Sequence, residues 1–137
     1  MTTMRVSKST GYALLAVGYI ARKQDAAGAV SAQVVSEKYD IPLEYLLKIL
    51  QQLVRAHVLR SKRGPQGGFW LAQPASKIAM LEIIEAIDGP LTGELNLGRR
   101  ARNSKYGAAV QQTYDRAISQ ARNVCQKAKL ATLLSAK

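Results

Sequence analysis

The chain has 137 residues, enough for one folded domain with a helical extension, and 47% of them are hydrophobic. Its 20 Lys+Arg against 9 Asp+Glu leave a net charge of +11, which favours a polyanionic partner, nucleic acid before an acidic membrane. Cys125 is the only cysteine, which excludes an intrachain disulfide and a cysteine or cysteine–histidine metal cluster, so no cofactor and no metal are expected.

The Met1–Arg5 start lacks the apolar core of a signal peptide, and no stretch approaches the ~18 unbroken apolar residues of a membrane span. The expected location is the cytoplasm, with no membrane partner.

Ala13, Ala16, Val17 and Ile20 follow the i, i+3, i+4, i+7 rule and predict a first helix over 9–23, capped by Ser9 or Thr10. Arg22 and Lys23 fall at its end, where the helix dipole favours positive charge. Residues 24–30 read as a loop. Ser31 is the N-cap candidate of a short helix, Ala32 to Tyr39, with Val34 and Val35 inward. Asp40-Ile41-Pro42 is the break, because proline disfavours α backbone at the residue before it.

The next predicted helix runs from Pro42 to His57, with Leu43, Leu46, Leu47, Leu50, Leu53 and Val54 as its buried stripe. Glu44, Lys48, Gln51 and Arg55 share the opposite face. A carboxylate, an ammonium, an amide and a guanidinium are the groups that meet base edges and phosphates. The same face also fits an ordinary solvated helix surface.

The order of elements favours the first reading. Arg60-Ser61-Lys62-Arg63-Gly64-Pro65-Gln66-Gly67-Gly68-Phe69-Trp70-Leu71 places a glycine- and proline-rich reversal between two strand-forming flanks. Two short helices, a three-residue turn between them and then a hairpin with a cationic tip make a winged helix-turn-helix, whose second helix enters the major groove.

Lys77 to Asp88 reads as a further helix with Met80, Ile83, Ile84 and Ile87 inward, stopped by Gly89-Pro90. The charge then shifts: residues 1–90 hold 11 Lys+Arg and 7 Asp+Glu, residues 91–137 hold 9 and 2. Leu91 to Lys105 reads as a basic loop containing Arg99, Arg100 and Arg102, equally suited to DNA phosphates and to solvent.

From Tyr106 a long helix is predicted. Val110, Tyr114, Ala117, Ala121, Val124 and Ala128 alternate spacings of four and three, the seam of a helix that pairs with another. Thr113, Ile118 and Cys125 widen it. The stripe is longer than so small a body hides, which favours a dimer contact. Lys129 to Leu134 is a final short helix expected to dock across it. The domain reading is 1–90, winged head; 91–105, basic loop; 106–137, dimerisation helix and terminal segment. The fold class is mainly α with a small β-hairpin.

Met4-Arg5-Val6-Ser7, Gly11-Tyr12-Ala13-Leu14, Ile41-Pro42-Leu43-Glu44-Tyr45-Leu46 and Arg63-Gly64-Pro65-Gln66-Gly67-Gly68-Phe69 resemble the Rrf2 (BadM-type) family of bacterial transcription regulators. Glu85 to Leu91 and Lys129 to Leu134 look like its later signatures. The resemblance implies a homodimer with crossing C-terminal helices and a pseudo-palindromic operator in double-stranded DNA. It implies that Leu43, Glu44, Tyr45 and Lys48 begin the recognition helix. Ser61, Arg63 and the Gly64–Gly68 loop, with Lys62 among them, then lie near the minor groove, and Ser7 and Lys8 add phosphate contacts.

Members that sense iron–sulfur status or nitric oxide carry three cysteines in the segment matching 91–105, and this chain has none there. It therefore resembles the cluster-free branch. His57 stands where family members often have glycine, and Trp70 where an aliphatic residue or tyrosine is usual.

Cys125 has two readings, a redox switch or a small hydrophobe on the seam side, and the second is preferred. His57 reads as a helix-end residue and Phe69 and Trp70 as wing-to-core packing. The expected function is a dimeric, sequence-specific transcription regulator acting as a repressor, with an unspecified protein or small-molecule effector. The alternative is a sequence-independent RNA- or nucleoid-binding protein. No nucleophile–base pair, Walker loop or dinucleotide fingerprint supports an enzyme.

Overall fold

The first helix is opened by Ser7, not by Ser9 or Thr10: the Ser7 hydroxyl accepts a hydrogen bond from the Thr10 backbone N–H, leaving Ser9 and Thr10 inside the helix. The structure, a computed structural model, describes residues 6–92, 95 and 97–136. Helix α1 (Lys8–Ala27) extends one turn past the expected end, so residues 24–27 are helical and Arg22 and Lys23 are not in its last turn.

Helix α2 (Ala32–Tyr39) starts at Ser31, whose hydroxyl accepts from Val34 N–H. Val35 is fully buried, whereas Val34 faces solvent at 43% exposure, a correction to its expected inward position. Asp40 takes a left-handed conformation (φ 54°), and the Asp40 and Ile41 amides both reach the Ser36 carbonyl. That closes the turn into α3 (Leu43–Arg55). Leu46, Ile49, Leu50 and Leu53 of α3 are buried; each such side chain contributes about 1.5–3 kcal/mol on leaving water. Ile49 belongs to the stripe, while Leu43, expected there, is 36% exposed.

Strands β1 (Leu59–Lys62) and β2 (Gly68–Leu71) pair antiparallel, Leu59 opposite Leu71 and Lys62 opposite Gly68. Val30 adds a third pairing that the sequence reading lacks: Val30 and Phe69 exchange backbone hydrogen bonds at 2.9 and 2.8 Å. Gln24, in the added turn of α1, accepts from Leu71 N–H at 2.7 Å. The hairpin is thus fastened to the head by backbone as well as by buried Phe69 and Leu71.

A single 3-10 turn (Ala75–Lys77) leads into α4 (Met80–Asp88), shorter than expected at its start. Leu81, Ile83 and Ile84 are buried, while Met80 and Ile87 are only half-buried. Part of the expected basic loop is helical, as α5 (Gly98–Arg102), and α6 (Lys105–Lys127) follows at once, capped by Ser104.

At the far end of α6 the chain returns to the head. Ala79 and Lys129 form an antiparallel bridge, with Met80 N–H on the Ala128 carbonyl and Leu130 N–H on the Ile78 carbonyl, both at 2.8 Å. Helix α7 (Leu130–Leu134) then lies against α1, where the Arg22 guanidinium donates to the Leu134 carbonyl at 2.9 Å. It does not lie across the long helix, because its apolar residues find the head's core: Leu130 is buried among Ile78 and the α1 residues.

Candidate nucleic-acid interface

The polar face of α3 is open to solvent along its length: Glu44, Lys48, Gln51 and Arg55 are all exposed. Burial of Leu46, Ile49, Leu50 and Leu53 against α1, α2 and α4 fixes which face that is. Leu43 stands at the exposed first turn, beside Glu44.

Tyr45 is half-buried and tied to α1. Its hydroxyl and that of Ser9 are hydrogen-bonded, and its ring meets Tyr12 edge-on with centroids 5.7 Å apart. The Lys8 ammonium sits 5.6 Å above the Tyr12 ring. The structure therefore brings Lys8, Tyr12 and the start of α3 together. Tyr45 holds the helix start in place through its hydroxyl, and Lys8 offers an exposed cation beside it. Ser7 lies one residue before, its hydroxyl engaged in capping and its N–H on the Asp88 carboxylate at 3.0 Å.

Asp88 links that start of α1 to the end of α4, in addition to the apolar packing between the two helices. Partial burial works against its ionisation. Hydrogen bonds from the Ser7 hydroxyl, the Ser7 backbone N–H and the Thr10 hydroxyl outweigh that and keep the carboxyl below its ordinary value.

The hairpin follows directly from α3, whose last turn packs on β1. Arg60, Ser61, Lys62, Arg63, Gly64, Pro65 and Gln66 are exposed. The tip is closed by Gly67 N–H on the Gly64 carbonyl at 2.9 Å. A Cβ on Gly67 would lie 2.1 Å from the Lys62 carbonyl oxygen, and one on Gly68 would lie 2.6 Å from that of Val30. Both positions therefore require glycine. Gly68 also has φ 147°, which an L side chain rarely adopts. These two glycines set the hairpin that presents Ser61 and Lys62 at the end of β1 and Arg63 in the loop; a glycine at 64, with φ 106°, completes the reversal.

The seam residues of α6 divide between two surroundings. Val110, Tyr114, Ala121 and Ala128 are half-buried, whereas Ala117 is exposed and Val124 is 70% exposed. Ile118, expected only to widen the seam, is buried on the chain's own head beside α4. Cys125 is a free, half-buried thiol. Val30, Gln24 and the Glu85–Arg122 ion pair are tertiary partners with no local sequence signal.

A helix-turn-helix followed by a glycine-set cationic hairpin, on a mainly helical body, defines a winged helix-turn-helix protein. The model of the Rrf2 family, described as iron-dependent transcriptional regulators, matches residues 6–136, and the chain belongs to that family. It is 33% identical over 114 residues to the transcriptional regulator IscR of Cereibacter sphaeroides, covering 82% of this chain and 73% of that one. It is 43% identical over 81 residues to the protein named BadM in Rhodopseudomonas palustris, a match spanning 59% of this chain and about half (51%) of that relative. Among solved structures, the global cysteine regulator CymR of B. subtilis superposes with a TM-score of 0.83 over 97% of this chain and 98% of its own, at 21% identity, a likeness of fold.

The family description names iron, and the donor set of this chain does not fit it. Segment 91–105 holds no cysteine, Cys125 is the only thiol, and the described residues contain no group of three His, Cys, Asp or Glu able to hold a metal ion. None of the described helices is long and apolar enough to cross a membrane.

Proposed function

We propose that the protein is a homodimeric, sequence-specific transcription repressor. In this reading α3 enters the major groove and the wing lies on the minor groove or the adjoining backbone. The observation that carries it is the exposed set Glu44, Lys48, Gln51 and Arg55 on a helix packed directly against the strand that bears Ser61 and Lys62 and leads into Arg63. A carboxylate, an amide and two kinds of cation can read base edges, and arginine suits the narrow groove because negative potential is focused there. Lys8, beside the start of α3, is placed for a phosphate.

The dimer reading is supported by apolar surface left open around α6 and α7: Val124 at 70%, Leu15 at 45% and Leu133 at 43% exposure, with Ala117 alongside. Two heads related by a two-fold axis call for a pseudo-palindromic operator. Cytoplasmic action follows from that role. Cys125 is read as packing rather than as a switch, since half-burial on α6 and the lack of a second thiol in the chain leave it no intrachain partner.

Selection of bound sequences from random duplex, with the full chain, tests this reading. A two-fold symmetric motif is expected. Failure to enrich any motif, with equal binding to structured RNA, turns the reading to a sequence-independent nucleic-acid binder.

A further inference from the structure

Arg99, Arg100 and Arg102 lie within one turn, and Lys105 begins the next helix. All four are exposed. The sole carboxylate on α5 and α6, Asp115, is taken by the Gln111 amide at 2.9 Å. Among the described residues none of the four cations forms an ion pair.

The turn that carries them is built into the fold. The Ser104 hydroxyl donates to the Ala101 carbonyl at 2.6 Å and accepts from Gly107 N–H at 2.9 Å. The backbone amide of Asn103 returns to the Arg99 carbonyl at 3.2 Å. Helix α6 comes so close that a Cβ on Gly107 would fall 1.6 Å from the Ala101 carbonyl oxygen. Only glycine admits this approach, and it sets α5 at a fixed angle to α6. Three guanidiniums so placed, each with a planar fork of donors, match successive phosphates rather than a single small anion.

We propose that this arginine corner is a second phosphate-binding surface for the duplex that the head reads, blind to sequence and separate from α3 and the wing. The inference rests on the reading of the head as DNA-binding. The corner stands at the other end of α6 from Arg122, where that helix is tied to the head, roughly 25 Å along its axis. A phosphate contact neutralised by an arginine releases counterions, so the corner adds to the salt dependence of binding without adding base preference.

The test is the slope of log affinity against log salt on one duplex carrying the selected site. Arg99→Gln/Arg100→Gln/Arg102→Gln is compared with the parent and with Lys23→Gln/Lys38→Gln/Lys127→Gln, which removes equal charge elsewhere. The corner variant is expected to lower the slope by about two to three and to weaken binding on the order of tenfold, with the preferred sequence unchanged. The control is expected to lower the slope by less than about one. An unchanged slope for the corner variant, or an equal fall in the control, overturns the proposal. Failure of the head reading looks different: the parent itself then prefers no sequence.

Discussion

Glu85 of α4 and Arg122 of α6 form an ion pair that also clasps the chain between them. The same carboxylate oxygen accepts from Leu91 N–H at 2.8 Å, and the guanidinium donates to the Leu91 carbonyl at 3.2 Å. The long helix is thereby fixed to the head at its C-terminal half, next to buried Ile118. Both side chains are partly shielded, Glu85 at 26% and Arg122 at 38% exposure, so the pair is worth more than a fully exposed one. Arg122→Ala is expected to destabilise the protein by about 1.5 kcal/mol in urea unfolding. The double change Glu85→Ala/Arg122→Ala is expected to cost less than the sum of the two single changes, and strict additivity contradicts the coupling.

The wing depends on Gly68. Gly68→Ala places a methyl against the Val30 carbonyl and demands φ 147° of an L residue, so the Val30–Phe69 pairing must open. The expected loss is about 2 kcal/mol or more. Hydrogen exchange of the Val30 and Phe69 amides reads it locally: both are expected to lose protection while the amides of α3 keep theirs.

Asp88 makes stability depend on acid. Its folded carboxyl titrates below the ordinary value of 3.8 because Ser7 and Thr10 donate to the charged form. A depressed carboxyl stabilises the fold above its unfolded value, and that contribution is lost as pH falls through the folded value. Asp88→Asn is therefore expected to flatten the decline of stability from about pH 4 downward. An unaltered acid limb contradicts the assignment. The exposure of Asp88 keeps the effect small.

Helices α2 and α3 and the hairpin are legible in the sequence because their signals are local: Ser31 caps its own helix, the leucine spacing marks one face of α3, and the glycines announce a reversal. The cap at Ser7 was less legible, since Ser9 and Thr10 are equally good cap residues and only the contact with Asp88 distinguishes Ser7. Nor could Val30 be seen to pair with Phe69, because one bridging residue carries no periodicity. The neighbour of helix α7 is not legible for a similar reason: five residues with an apolar face fit either α6 or α1. At the site, the exposed face of α3 is legible from spacing, while the tie between Tyr45 and Ser9 depends on how α1 crosses α3. His57 illustrates the reverse case. The resemblance implies glycine at this position, and the structure holds His57 at φ 63°, the backbone that glycine adopts cheaply.

In the proposed reading one head contacts DNA with both α3 and the wing, and titration of a labelled duplex carrying the selected site against one of scrambled sequence separates the two contributions. Arg63→Ala is expected to weaken binding to both duplexes and to lower the salt slope by about one. Glu44→Ala is expected to alter the preferred base at one position, with a change of about 1–3 kcal/mol in discrimination. Binding to both duplexes that is indistinguishable from the parent in both variants rules out this two-element readout.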